Sequence, residues 1–117
     1  MKKFFVLIGF KAEAMQAWMA STDEATRKTQ TDQLMNEWNE WMAAHAANVV
    51  DKGFPLGKNK RVIAESVEDT RNDFNWYMIV QAESHDYAAK LLMDHPNLKT
   101  IPTSYMEVMD MPDMGGM

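Results

Sequence analysis

Residues 74–82 read FNWYMIVQA, and this stretch decides the fold. Its aromatic and branched side chains favour an extended chain. Alternate side chains of a strand point to opposite faces, so Phe74, Trp76, Met78 and Val80 share one side while Asn75, Tyr77 and Ile79 share the other. Both sides carry apolar bulk, whereas an antiparallel strand with water on one face alternates apolar with polar. The start of the chain repeats the pattern. Phe4, Phe5, Val6, Leu7 and Ile8 predict a strand over Lys3 to Gly9, covered on both faces and therefore central. A short last strand over Thr103 to Asp110 repeats it through Tyr105, Met106, Val108 and Met109.

Helical spacing fills the intervals between these strands. A short helix over Ala12 to Met19 precedes Ser21 and Glu24, which match a capping box. From Glu24 to about Val50 a long helix is expected. Leu34, Trp38, Trp41, His45 and Val49 recur every three or four residues, and Asn36, Glu37, Asn39 and Glu40 occupy the wetter side. Gly53, with its freedom to take a left-handed cap, and then Pro55 and Gly57 mark a loop. Arg61 to Val67 reads as a strand, and a polar turn from Glu68 to Asn72 joins it to residues 74–82 as an antiparallel hairpin. Ser84 is a candidate N-cap for a second helix with Tyr87, Ala88, Leu91 and Leu92 on its buried face, stopped by Pro96.

The order is β-α-β-β-α-β, the pattern of a ferredoxin-like α+β domain. A single domain over residues 1–111 is expected, with a flexible tail over 112–117 containing Pro112 and a Gly-Gly pair. Two helices on one face of a sheet leave the other face apolar and bare. Such a patch marks an interface or a ligand groove, and two-fold self-association covers it with one surface. A homodimer is therefore expected.

Composition narrows the function classes. The chain has 117 residues, no cysteine and a formal charge of -5. Disulfides, thiolate metal sites and thiol catalysis are excluded. A chain of this size folds to roughly 6,500 Å² of surface from roughly 19,600 Å² extended, enough for a real core. The acidic balance disfavours nucleic acid as a partner, and Lys58, Lys60 and Arg61 read as a solvated rim. The opening MKKFFVLIGF is interrupted by Lys11 and Glu13, unlike a secretory signal, and no segment approaches a membrane span. A cytoplasmic protein with no membrane partner is expected. Twelve methionines suit adaptable packing rather than a metal site. No phosphate-loop, dinucleotide or zinc signature is present, so no metal and no cofactor are expected.

In four places, taken in order, the chain resembles the YCII-related proteins of the dimeric α/β-barrel superfamily. These are Lys3-Phe4-Phe5-Val6-Leu7-Ile8, the helix running into Gly53-Phe54-Pro55-Leu56-Gly57, the strand Phe74-Asn75-Trp76-Tyr77-Met78-Ile79-Val80, and Asp94-His95-Pro96-Asn97-Leu98 followed by Met106-Glu107-Val108. The resemblance implies a homodimer whose two sheets face each other as a barrel, with pockets between sheet and helices. Many members carry an Asp-Gly-Pro-Phe segment. Here it corresponds to Arg71-Asn72-Asp73-Phe74, in which only the Asp and the Phe have counterparts. The wider superfamily includes monooxygenases, muconolactone isomerase and haem-handling enzymes, but none of the three histidines here stands out as an axial ligand.

The candidate catalytic residues are His45, His95 and Asp73. His45, on the Trp38–Trp41–Val49 stripe, is either a neutral packed histidine or an acid/base in an aromatic pocket. His95 either terminates a helix or, with Asp73 to orient an imidazole, forms a proton-transfer unit. His85 falls in a first helical turn and reads as exposed. Trp38, Trp41, Trp76 and Tyr77 form either a slot for a planar molecule or a core and interface. Two functions follow: a homodimer that binds a small hydrophobic or aromatic metabolite, or a cofactor-independent isomerase, hydrolase or monooxygenase-like enzyme using a histidine. The incomplete catalytic set favours the first.

Overall fold

Phe4, Val6 and Ile8 disappear from solvent while Phe5 and Leu7 remain half-exposed, the alternation of a strand with one finished face. They belong to β1 (Lys2–Gly9) in a computed structural model that describes residues 1–114. The chain continues through α1 (Ala12–Ser21), α2 (Glu24–Ala44), β2 (Val49–Pro55), β3 (Asn59–Ile63), β4 (Ser66–Thr70), β5 (Phe74–Ala82), α3 (His85–Leu91), α4 (Pro96–Thr100) and β6 (Tyr105–Met111). The main sheet has the order β2-β5-β1-β6, and every neighbouring pair is antiparallel. Numbering only those four strands along the chain gives 2-3-1-4, the ferredoxin-like order. The fold is α+β, as the sequence predicts, with β1 and β5 at the centre. β3 and β4 pair with each other in a separate two-stranded ribbon.

The core lies between the helices and one sheet face. Phe4, Val6, Ile8, Met78, Val80 and Ala82 from the sheet meet Trp41, Ala88 and Leu92. The opposite face carries Phe5, Leu7, Tyr77, Ile79 and Met109, brought into rows by the pairing of Phe5 with Ile79 and Met109 and of Leu7 with Tyr77. Among the described residues, the helices pack on the other face. Phe54, opposite Tyr77 in β2, is 69% exposed.

Several boundaries differ from those the sequence suggests, each for a local reason. The cap of α2 is Asp23, whose carboxylate accepts the Thr26 N–H at 2.8 Å, while Ser21 closes α1 instead. α2 stops at Ala44, well short of Val50. His45 caps it, and its carbonyl takes the N–H groups of both Asn48 and Val49. Asn48 and Gln81 then tie the chain to β5: Gln81 N–H donates to the Asn48 carbonyl at 2.7 Å and Asn48 Nδ2 donates to the Gln81 carbonyl at 2.9 Å. This tertiary clamp replaces the glycine or proline that ordinarily announces a helix end.

The expected loop over Gly53–Gly57 begins inside β2. Gly53 has the positive φ anticipated for it, 82°, but within a strand whose register slips between Asp51 and Phe54. A Cβ there would fall 1.4 Å from the Tyr77 carbonyl oxygen, so only glycine fits this bulge. The expected strand from Arg61 to Val67 is two strands turning at Ala64–Glu65, and β5 pairs with β1 and β2 instead of with this segment. Pro96 does not end α3; it occupies the first position of α4, where its missing N–H costs nothing. The expected tail begins at Pro112, and its residues 115–117 lie outside those described.

Candidate functional site

Successive turns of α2 carry Trp38, Trp41 and His45 to the sheet side, and the short α4 presses His95 against them. The rings touch in sequence. Trp76 meets Trp38 edge-on at 5.2 Å between centroids, Trp38 meets His95 at 4.6 Å, His95 meets Trp41 at 4.8 Å, and Trp41 stacks on His45 at 4.3 Å. Each indole N–H is occupied. Trp38 donates to Asn97 Oδ1 at 2.7 Å, Trp41 to Asp94 Oδ1 at 3.0 Å, and Trp76 to the Lys52 carbonyl at 2.9 Å. Rings this close leave no gap for a planar molecule unless they part.

The two histidines differ in state. His95 is 0% exposed. Its Nδ1 accepts the Asn97 N–H at 3.1 Å, which caps α4 and leaves the proton of the neutral ring on Nε2. That nitrogen is buried without a hydrogen-bond partner among the described residues, between two tryptophans. Burial pushes the imidazole down to about 4; the Asp94 charge opposes this and the His45 charge adds to it. His95 is therefore neutral through the physiological range. His45 is half-buried, and its Nδ1 donates to the Trp41 carbonyl at 2.9 Å. The Trp41 hydrogen bond holds the Asp94 carboxyl below its usual range, and the His45 charge assists.

Asp73 joins neither histidine. Its Oδ2 accepts from the Tyr105 hydroxyl at 2.7 Å and from Lys11 Nζ at 2.9 Å. These bonds, Tyr105 first, lower the Asp73 carboxyl and raise both Tyr105 and Lys11. Tyr77 is separated from the tryptophans by the sheet itself, stacked on Phe5 at 5.7 Å on the bare face. His85 stacks on Phe4, and its Nε2 hydrogen-bonds the Val108 carbonyl at 2.7 Å. The structure thus gathers Trp38, Trp41, Trp76, His45 and His95, and leaves Asp73 and Tyr77 elsewhere.

An apolar pocket lies beside this cluster rather than inside it. A cavity of about 200 Å³ opens between α1, the N-terminal half of α2 and the segment after α4. Met15, Trp18, Leu34, Ile101 and Pro102 wall it, with Gln30, Thr31 and Thr100 as polar groups. Gln30 Oε1 accepts the Trp18 indole N–H at 2.7 Å, which fixes the amide and leaves its NH₂ to donate. Near the wall Thr103 holds φ 63°, a costly conformation for a β-branched residue. Its hydroxyl accepts the Lys11 N–H at 3.0 Å, fastening this segment to the start of α1. Sequence reasoning did not single out Trp18, Gln30 or Ile101 for this space. The spacing of Met15 and Trp18 marks an apolar face on α1, yet the gap depends on how far α1 and α2 splay.

Among the described residues, no group of three or more His, Cys, Asp or Glu side chains is placed to hold a metal ion, and no helix is long and apolar enough to cross a membrane. No family model and no curated protein matches the chain. Among solved structures it is similar to 5-chloro-2-hydroxyhydroquinone dehydrochlorinase (TftG) from Burkholderia phenoliruptrix AC1100 in complex with 2,5-dihydroxybenzoquinone, at 15% identity and a TM-score of 0.48, covering 90% of each chain.

Proposed function

We infer that this protein is a homodimer that binds a small hydrophobic or single-ring aromatic molecule between α1 and α2. One observation carries the ligand reading: an apolar cavity of about 200 Å³ whose polar groups, Gln30, Thr31 and Thr100, are neutral. A dry cavity of about 150 Å³ accepts a benzene-sized molecule, so the space suits one ring with one polar substituent facing the Gln30 NH₂. A charged ligand would find no counter-ion among these side chains. The dimer reading rests on the bare sheet face of Phe5, Leu7, Tyr77, Ile79 and Met109, which needs an apolar cover.

The alternative, a cofactor-independent enzyme working through a histidine, has less support. His95 is sealed and neutral, His45 spends Nδ1 on a backbone carbonyl, and Asp73 serves Tyr105 and Lys11. None of the three lines the cavity. The same reading keeps the protein cytoplasmic, without cofactor, nucleic-acid or membrane partners, in line with its charge of -5 and lack of cysteine.

p-Cresol is a suitable probe. At millimolar concentration it is expected to shift the methyl resonances of Met15, Leu34 and Ile101 saturably. Ala14→Leu, which extends a side chain at the cavity wall, should weaken that binding about tenfold or more. An unchanged methyl spectrum at saturating probe would refute the cavity as a ligand site.

A further inference from the structure

We propose that the β3–β4 ribbon is an exchanged arm, whose apolar tip packs on a second copy of this chain. The proposal rests on the homodimer reading and adds a surface to it. The ribbon spans Asn59 to Thr70 and, among the described residues, joins no other strand. An isolated two-stranded hairpin is marginally stable at best in water, because it has no layer against which to bury side chains. Here the side chains that need burial are at the tip: Val62 is 73% exposed, Val67 62% and Ile63 49%. At its root the ribbon stands off from the start of α1 across an open cleft of about 880 Å³ lined by Lys58, Lys60, Asp69 and Arg71.

The pattern along the ribbon separates charge from tip. Val62 faces Val67 across the ladder, while nearer the root Arg61 faces Glu68 and Lys60 faces Asp69. Lys60 and Asp69 form an ion pair at 2.6 Å. Lys60 and Arg61 face acidic partners within the arm, and Val62, Ile63 and Val67 form its apolar end beside the Ala64–Glu65 turn, so the complementary surface is apolar with room for Glu65 at its edge. The chain itself supplies one in the uncovered sheet face. The arm leaves from β2, an edge of that sheet, so two sheets placed face to face bring each arm's root beside the rim of the other copy.

Surface area supports the same occupant. The chain exposes 8288 Å², roughly 1,800 Å² more than a monomer of its size. Its radius of gyration is 16.4 Å, against about 13 Å for a compact chain of this length. Obligate homodimers bury on the order of 1,000–2,500 Å² per partner, and the excess falls in that range. A second copy whose sheet face and arm are both engaged accounts for it.

The absence of cysteine makes a direct test possible. Val62→Cys gives a single attachment point for a benzophenone photo-crosslinker. Isotopically light and heavy protein are mixed, allowed to exchange subunits, irradiated and digested. Crosslinks joining residue 62 to a peptide of the other isotope are expected. The double variant Val62→Asp, Val67→Asp should weaken self-association at least about tenfold by analytical ultracentrifugation, with an unchanged far-UV spectrum since both side chains are exposed. If the wild type sediments as a dimer but residue 62 links only to its own chain, the arm proposal falls and the dimer stands. If the wild type stays monomeric at millimolar concentration, both fall.

Discussion

The two halves of α2 occupy different environments on one continuous helix. Its C-terminal half presses Trp38 and Trp41 into the core, Trp41 being 5% exposed. Its N-terminal half has no buried residue and borders the cavity, held by the Asp23 cap and an exposed Lys28–Asp32 pair at 2.8 Å. Propensity alone does not stabilise an isolated helix of this length strongly. The buried half therefore carries the stability of the element, and the exposed half is free to shape a site. Mutations should separate them.

The largest effect is expected at Trp41. Trp41→Ala removes a nearly buried indole that touches both histidines and hydrogen-bonds Asp94, and should cost about 3–5 kcal/mol in chemical denaturation. Leu34→Ala, two turns earlier and half-exposed at the cavity, should cost about 1 kcal/mol. Equal losses at the two positions would erase the distinction between the halves.

Acid should come next, again through the buried half. His95 titrates at about 4 when folded and near 6.5 when unfolded. Between those values the unfolded chain binds more protons, so stability rises with pH. Its contribution is complete above pH 6.5 and is lost as pH falls toward 4, on the order of 3 kcal/mol. The carboxylates with lowered values, Asp23, Asp73 and Asp94, act in a separate window, losing their stabilisation only as pH falls below about 4. Urea denaturation from pH 7 to 4.5 should show the decline, and His95→Asn should flatten it. A flat wild-type profile would contradict a neutral, buried His95.

The smallest effect belongs to the exposed end. Asp23→Ala removes the carboxylate that accepts the Thr26 N–H. Amides in the first turn of α2 should then exchange faster with solvent, while those around Trp41 keep their protection. Faster exchange along the whole helix would mean that its two halves melt together.

What the sequence makes legible follows the same division. β1 and β5 can be read directly, since Phe4 to Ile8 and Phe74 to Val80 are dense in strand-forming apolar residues. The meeting of Trp38, Trp41 and His45 follows from helical spacing, and the separation of Tyr77 from Trp76 follows from strand alternation. The end of α2 is hidden because Ala43 to Ala47 contains no breaker, and the clamp that ends it comes from Gln81, far along the chain. The arm is hidden because its turn, Ala64–Glu65, lacks the Asn-Gly or Asp-Gly signature of a tight hairpin. Asp73 finds its partners in Lys11 and Tyr105, which only the assembled sheet brings near.

The bulge at Gly53 also bears on solubility. β2 is one of two outer strands of the main sheet, and an outer strand offers free backbone groups to any passing chain. Slipped register on both sides of Asp51, the charges of Asp51 and Lys52, and Pro55 at its end make β2 a poor template for further pairing. β6 pairs with β1 without a slip from Lys3 to Gly9 and has only Glu107 and Asp110 as charges. Unwanted strand-to-strand growth would therefore start along β6, leaving the β2 side, with its arm, for specific assembly.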